Sequence, residues 1–373
     1  MLAISNIQEQ FFSLVRSGLW NKPADQNLFN DNTNWNEIYE ISKQQALLGI
    51  VLDGIETLPL NLRPGRSLYL KWCADVLYIE DNNAILNQRI GELVDILRKE
   101  NIEPIILKGQ GVARAYPNPF HRQSGDIDFY IGKNNFDRVN EILDLEGFKQ
   151  HETNAKHSCY NWRDVIVENH RILIQTAPFI NNRIQKIIDD WHSKGNYYKY
   201  NLEGKEISLP PLEFDIVYVL QHIVKHLLRQ GIGLRQLCDW ALLLNYCDGK
   251  IDKNIVIKLL KEFKLKRAAK IFGFIVTQYL GLPRENLILD YTSSDEKIGK
   301  QILVNIMNDG NFGTFNINKK NRPTGYWKRK LHSFRIALRK NLDSWKVVPY
   351  EVFWSPYLII YNLLKSQYNK RKD

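Results

Sequence analysis

Asp126-Ile127-Asp128, set between the polar run Phe120–Gly125 and the apolar Phe129-Tyr130-Ile131, constrains this chain more than any other segment. Residues two apart in an extended strand point to the same side, so both carboxylates converge on one point instead of straddling a sheet. Two adjacent anions repel, and a divalent cation that also carries substrate phosphates is the simplest way to offset the repulsion. Asp-x-Asp triplets also occur as solvated turns, so the flanking segments have to decide between the readings.

Upstream, Ile102-Glu103-Pro104-Ile105-Ile106-Leu107-Lys108-Gly109-Gln110-Gly111 reads as a short buried strand, Pro104–Leu107, that breaks at Gly109. A small-residue helix, Val112–Tyr116, follows and is stopped by Pro117. A glycine at a strand-to-helix turn lets backbone N–H groups approach a phosphate, although the two glycines match no Walker or dinucleotide pattern. Downstream, the β-branched run Asp164–Ile174 reads as another strand. Its even-numbered positions share a face, so Glu168 can complete a triad with Asp126 and Asp128, with His170 beside it. Asp164 competes on the same side, and parity does not choose between Glu168 and Asp164.

Leu107-Lys108-Gly109, then Arg122 and Asp126-Ile127-Asp128, then Glu168-Asn169-His170 resemble, in that order, the nucleotidyltransferase superfamily. More narrowly, the pattern is similar to a bacterial group of largely uncharacterised nucleotidyltransferases, whose later helical segment corresponds here to His222-x-x-Lys225-His226 and Leu234–Asp239. The resemblance spans residues 85–245 and implies an α+β fold: a nucleotidyltransferase-like mixed β-sheet core with flanking helical regions. It implies transfer of a nucleoside monophosphate from an NTP to a hydroxyl or phosphate acceptor by two-metal-ion catalysis, with Mg²⁺ or Mn²⁺ as cofactor. Asp126, Asp128 and Glu168 are the implied catalytic and metal-binding carboxylates, and Gly109 the phosphate-side turn. Positioning and charge neutralisation then carry most of the acceleration, because phosphoryl-group transfer leaves little covalent work for the protein.

The chain departs from the superfamily at that turn. The usual Gly-Ser or Gly-Gly is Lys108-Gly109-Gln110, with no serine hydroxyl beside the glycine to hold a γ-phosphate. Lys108 and Gln110 are the candidate substitutes at the nucleotide, and Arg122 is the next; a lysine is a sound phosphate partner as a point charge. His170, His222, Lys225 and His226 are candidate supporting groups around the site. His222 and His226 are four apart on one helix face, but the Glu of His-Glu-x-x-His is missing, so a structural cluster with an Arg235–Asp239 ion pair is the expectation there, not zinc.

At 373 residues the chain exceeds what one core usually supports. The expected division is an N-terminal helical region (1–82), a nucleotidyltransferase-like α/β core (83–208), a helical domain (209–317) and a basic, aromatic-rich helical tail (318–373). Within the core, Leu86, Ile90, Leu93, Val94 and Leu97 place a helix over Ala84–Lys99, and Phe136, Val139, Ile142 and Leu143 place another, closed by Gly147. The four cysteines form no CxxC pair and give no disulfide framework. Met1–Phe12 lacks the basic and apolar segments of a signal peptide, and no apolar run approaches the roughly 20 residues of a spanning helix. A cytoplasmic protein is expected.

Residues 318–373 hold 14 Lys or Arg against three acidic residues, a surplus of 11 in a chain whose total is +10. Aromatic residues such as Tyr326, Trp327, Trp345 and Trp354 are interleaved with them. Such a tail suits a solvated basic face, peripheral contact with an anionic membrane at its inner surface, or nucleic acid, in that order. Two other functional classes therefore stand beside the transferase: a nucleotide or metabolite sensor without turnover on the same fold, and a membrane- or RNA-associated protein working through the tail.

Overall fold

A computed structural model describes residues 5–154, 156–174, 178–229, 231–311, 325 and 344–354. The expectations for 318–373 otherwise lie outside the described residues. Within them, Val347, Val348 and Val352 are buried in the main core, while Trp345 and Phe353 are exposed.

Helices α1 (Asn6–Trp20), α2 (Trp35–Gln44) and α3 (Leu48–Glu56) precede a long helix, α4 (Arg66–Lys99). Then come β1 (Ile105–Leu107), α5 (Gly109–Ala113), β2 (Asp126–Tyr130), α6 (Phe136–Leu145), β3 (Lys149–Thr153), β4 (His157–Trp162), β5 (Val165–His170) and α7 (Pro178–Ser193). The hairpin β6 (Tyr198–Leu202) and β7 (Lys205–Leu209) leads into α8 (Leu212–Arg229), α9 (Leu234–Cys247), α10 (Lys253–Glu262), α11 (Lys266–Gln278) and α12 (Ser293–Asp309). The fold is α+β, with one seven-stranded mixed sheet in the order β3-β4-β5-β2-β1-β7-β6. The β2–β5 and β1–β7 pairs are parallel and the others antiparallel.

The sheet has two differently covered faces. Ile106, Ile127, Phe129, Tyr160 and Val167 pack with Leu86, Ile90 and Leu93 of α4 and with Val139 and Leu143 of α6. The opposite face, carrying Ile105, Leu107 and Tyr130, joins the larger core built with Phe214, Val217 and Tyr218 of α8 and the helices around it. Alternation along β2 thus sends Ile127 and Phe129 to one core while Asp126, Asp128 and Tyr130 share the other side.

Several boundaries differ from the sequence reading. Helix α4 begins at Arg66, not Ala84, and runs through the expected 82/83 boundary without a break. Its buried stripe, Trp72, Val76, Ile79, Asn83, Leu86, Ile90, Leu93, Leu97, contains a polar residue at Asn83, which interrupts the apolar periodicity where the shorter helix was expected to start. The short helix after β1 spans Gly109–Ala113, a few residues earlier than expected. Strand β5 ends at His170, because the Arg171 and Ile172 amides both donate to the Lys156 carbonyl and leave the ladder. Gly147 closes α6 as expected, with φ +82° and its amide donating to Asp144.

Candidate metal and nucleotide site

Register turns the sequence motifs into a site. Asp126 is paired with Ile166, Asp128 with Glu168 and Tyr130 with His170 across β2–β5. On the far side of β5, Cys159 faces Glu168 and His157 faces His170. Residues directly opposite in a ladder share a face, so Asp126, Asp128, Glu168, His170, His157 and Cys159 all lie on the α8 side of the sheet. Asp126 and Ile166 are exposed while Asp128 and His170 are buried, so the site opens to solvent at its Asp126 end.

Asp128 is the electrostatic centre. Lys108 Nζ lies 2.7 Å from its Oδ2, and His170 Nε2 lies 2.5 Å from its Oδ1 and 3.5 Å from Glu168 Oε2. Burial alone would raise the Asp128 pKa, but Lys108 and His170 outweigh it and hold the carboxyl well below the usual carboxylate range. Asp126 is shifted the other way, first by the Asp128 charge next to it. Burial disfavours the Lys108 ammonium, yet Asp128, Tyr218 and Asp126 together raise its pKa. Lys108 itself has φ +48° and ψ −137°, a sparsely populated conformation for a residue with a side chain, and Gly109 follows at φ +37°. That turn ends β1 abruptly and sends the lysine across to β2.

The parity question is resolved by position. Asp164 lies just outside β5 and pairs with Arg89 of α4 through two contacts of 3.0 and 3.3 Å. Glu168 is the carboxylate that stands beside Asp128.

Two of the candidate nucleotide contacts point elsewhere. The Arg122 guanidinium is bidentate to Asp239 of α9, at 2.7 and 2.9 Å, and its remaining nitrogen donates to Ser124 Oγ at 2.7 Å. Asp239 is thus bidentate with Arg122, while Arg235, whose charge also helps to hold the Asp239 pKa down, donates to the Gln123 carbonyl. Tyr116 adds a phenol bond to Asp239 at 2.6 Å. The Gln110 amide is likewise committed, donating to Asn87 Oδ1 and accepting from Ser124 Oγ at 2.8 Å. Both side chains sit in a buried network that fixes the turn against β2, since a buried polar group left without partners is costly.

Three residues that the sequence reading missed serve the same purpose, and a fourth, Tyr218, stands near the acids. Asn83 donates to the carbonyls of Phe120 and Arg122 at 2.6 and 2.8 Å, pinning the loop that delivers Asp126. Asn87 holds Gln110, and Ser124 bridges Gln110 and Arg122. Tyr218 is buried on α8 and electrostatically coupled to Lys108, Asp128 and Glu168. One turn further, His222 meets His226 with ring centroids 4.3 Å apart. Burial first, then Lys108, His226 and Lys225, hold the His222 pKa well below its ordinary value. Lys225 is exposed on the same stretch of helix. The polar face of α8 is thus turned toward the carboxylates, and the buried Arg114–Asp215 pair, at 2.8 Å, fastens α8 to the segment after β1. The one signal in the sequence for this face was the spacing of Tyr218, His222, Lys225 and His226, which puts them on one side of a helix.

The site is thus a set of carboxylates in register on two adjoining strands of a mixed sheet, with a lysine turn beside them. Residues 31–281, about two thirds of the chain, match the family described as uncharacterised nucleotidyltransferase, and the chain belongs to that family. No curated protein matches it. Among solved structures, an antigenic nucleotidyltransferase-like protein from Paracoccidioides brasiliensis is similar at 13% identity and a TM-score of 0.32, over 57% of this chain and 96% of that one. A TM-score that low says nothing about shared chemistry.

Proposed function

We propose that this protein transfers a nucleoside monophosphate from an NTP to a hydroxyl or phosphate acceptor in the cytoplasm. The observation that carries the reading is the convergence of Asp126, Asp128 and Glu168 on one face of β2 and β5. Their donor chemistry fits a divalent cation: all three offer carboxylate oxygens, and Asp126 and Asp128 repel each other strongly enough to shift the Asp126 pKa upward. Mg²⁺ or Mn²⁺ held there would neutralise charge on the triphosphate and on the acceptor oxygen.

The remaining roles fall to the chain itself. The open Asp126 end admits the ligand, and Asp128 and Glu168 lie deeper on the same face. Lys108 offers an ammonium that can turn from Asp128 to a phosphate oxygen when a cation takes its place. Gly109 supplies the turn that brings the β1 backbone close to β2. The α8 face with Tyr218, His222, Lys225 and His226 lines the other side, where an acceptor would be oriented. Three of the four cysteines are buried and all four are free, in keeping with a reducing compartment.

One observation favours a second reading, nucleotide or metabolite binding without turnover: Asp128 already has Lys108 and His170 as partners. Peripheral contact with anionic membrane or nucleic acid through 318–373 is proposed on the charge surplus of that tail. Calorimetric titration of ATP, GTP, CTP and UTP with Mg²⁺ distinguishes the first two readings when run beside a pyrophosphate-release assay. Binding with release supports transfer, binding alone supports the sensor, and no binding of any NTP removes transfer and leaves only a sensor of some other metabolite.

A further inference from the structure

The row of side chains next to the three carboxylates has a different donor chemistry. His157 and Cys159 on β4 stand directly opposite His170 and Glu168 on β5, on the same face of the antiparallel ladder. One ligand atom each from His157, Glu168 and His170 lies within 4.8 Å of the other two. Cys159 Sγ donates to Glu168 Oε1 at 3.3 Å, which leaves Oε2 as the oxygen nearest His170 Nε2, at 3.5 Å. A tetrahedral ion about 2.0–2.2 Å from each ligand needs those atoms about 3.4 Å apart, a spacing that Glu168 and His170 already have and that rotation of the His157 side chain would have to supply for the third ligand.

We infer that His157, Glu168 and His170 form a nitrogen-rich cation site, adjoining Asp126 and Asp128 but distinct in donor chemistry, that takes a transition ion of the Zn²⁺ class in preference to Mg²⁺. Mg²⁺ is a hard cation that keeps oxygen ligands and several waters, and two imidazoles out of three protein ligands suit it poorly. Imidazole nitrogen beside carboxylate is the ordinary environment of Zn²⁺ and Fe²⁺. The strand register supplies what loop histidines lack: His157 and His170 are held opposite each other by backbone pairing, so the site needs no chain rearrangement to close. Cys159, bonded to the far oxygen of Glu168, orients the carboxylate toward the histidines in the manner of an outer partner of a metal ligand. His170 Nε2 also lies 2.5 Å from Asp128 Oδ1, so an ion bound at that nitrogen takes the place of the hydrogen bond to Asp128, which couples the two sites through one imidazole. This goes beyond nucleotidyl transfer and does not require it, because the donor set alone defines the ion.

The test uses the full chain stripped of metal by chelation and titrated with Zn²⁺, then with Mg²⁺ as competitor, by calorimetry and by ¹⁵N shifts of the histidine rings. Binding of Zn²⁺ with shifts at His157 and His170, unreversed by excess Mg²⁺, is the expected result. His157→Ala should weaken that binding by more than the roughly 10–100-fold that loss of an outer partner costs. Far-UV circular dichroism checks that the variant is folded, and His157→Gln replaces it if it is not. Asp126→Ala should retain Zn²⁺ while losing NTP turnover, so failure of this site and failure of the transfer reading give different patterns. Zn²⁺ shifts confined to other histidines, full displacement by Mg²⁺, or unchanged affinity in His157→Ala would each overturn the inference.

Discussion

Lys108 Nζ sits 2.7 Å from Asp128 Oδ2, so the buried carboxylate at the centre of the site already has a cation. The lysine reaches it from a backbone conformation that residues with side chains rarely adopt. The turn that lacks the usual serine is therefore built to place a positive charge among the acids.

Removing the Lys108 charge should cost stability that a divalent cation restores. Lys108→Met leaves Asp128 buried with His170 as its remaining partner, a loss of about 3–5 kcal/mol for a broken buried pair. Urea denaturation with and without Mn²⁺ measures it. A variant as unstable with the metal as without it would show that no cation enters beside Asp128.

The two aspartates should separate stability from function. Asp126→Ala removes an exposed, repelled carboxylate and should change stability by no more than about 0.5 kcal/mol, as surface changes usually do. Asp128→Ala strands Lys108 in a buried position and should cost about 3–5 kcal/mol. Equal losses in the two variants would contradict the assignment of Asp128 as the partner of Lys108.

Asp239 holds Arg122, and through it the loop before β2. Asp239→Ala should destabilise the protein by about 3–5 kcal/mol, and adding Arg122→Met should recover part of that loss, because a well-packed apolar pair often replaces a buried ion pair without penalty. Thermal melting of the two variants gives the comparison; a loss near zero in the single variant would mean that the pair does not hold the loop.

Acid sensitivity should trace in part to Glu103, where α4 meets β7. Burial raises its pKa, but bonds from Arg98, Ser208 and Lys199 outweigh that and bring it down to about 2 from 4.5. A carboxyl depressed in the folded state contributes stability above its unfolded pKa and loses it as pH falls toward the folded value. Stability should therefore decline between pH 4.5 and 2, and Glu103→Gln should flatten that part of the profile. An unchanged slope in the variant would exclude Glu103 as a source.

How far the site was legible in the sequence depended on the range of the interaction. That Asp126 and Asp128 share a face, and Glu168 and His170 another, was legible because period-2 alternation is local, and the register between β2 and β5 brings the two faces together. The orientation of Lys108 was not legible, since it depends on one backbone torsion. Arg122 was assigned to phosphate because its true partner, Asp239, lies 117 residues away on another helix. Strand β3 escaped notice because all five of its residues are exposed and show no alternation. The hairpin of β6 and β7 turns on Glu203-Gly204, at φ +48° and +89°, where Asn-Gly would have announced it. Asn83 hid half of α4 by placing an amide in its apolar stripe, and that same amide secures the loop that carries the first aspartate.

The most direct measurement is pyrophosphate release from each of the four NTPs, in Mg²⁺ and a mixed pool of hydroxyl and phosphate acceptors, by wild-type protein and by the stably folded Asp126→Ala. Release by the wild type with at least one NTP, abolished by chelation and by Asp126→Ala, is the expected result. Release that continues undiminished in Asp126→Ala would contradict the assignment of the β2–β5 carboxylates as the metal site for nucleotidyl transfer.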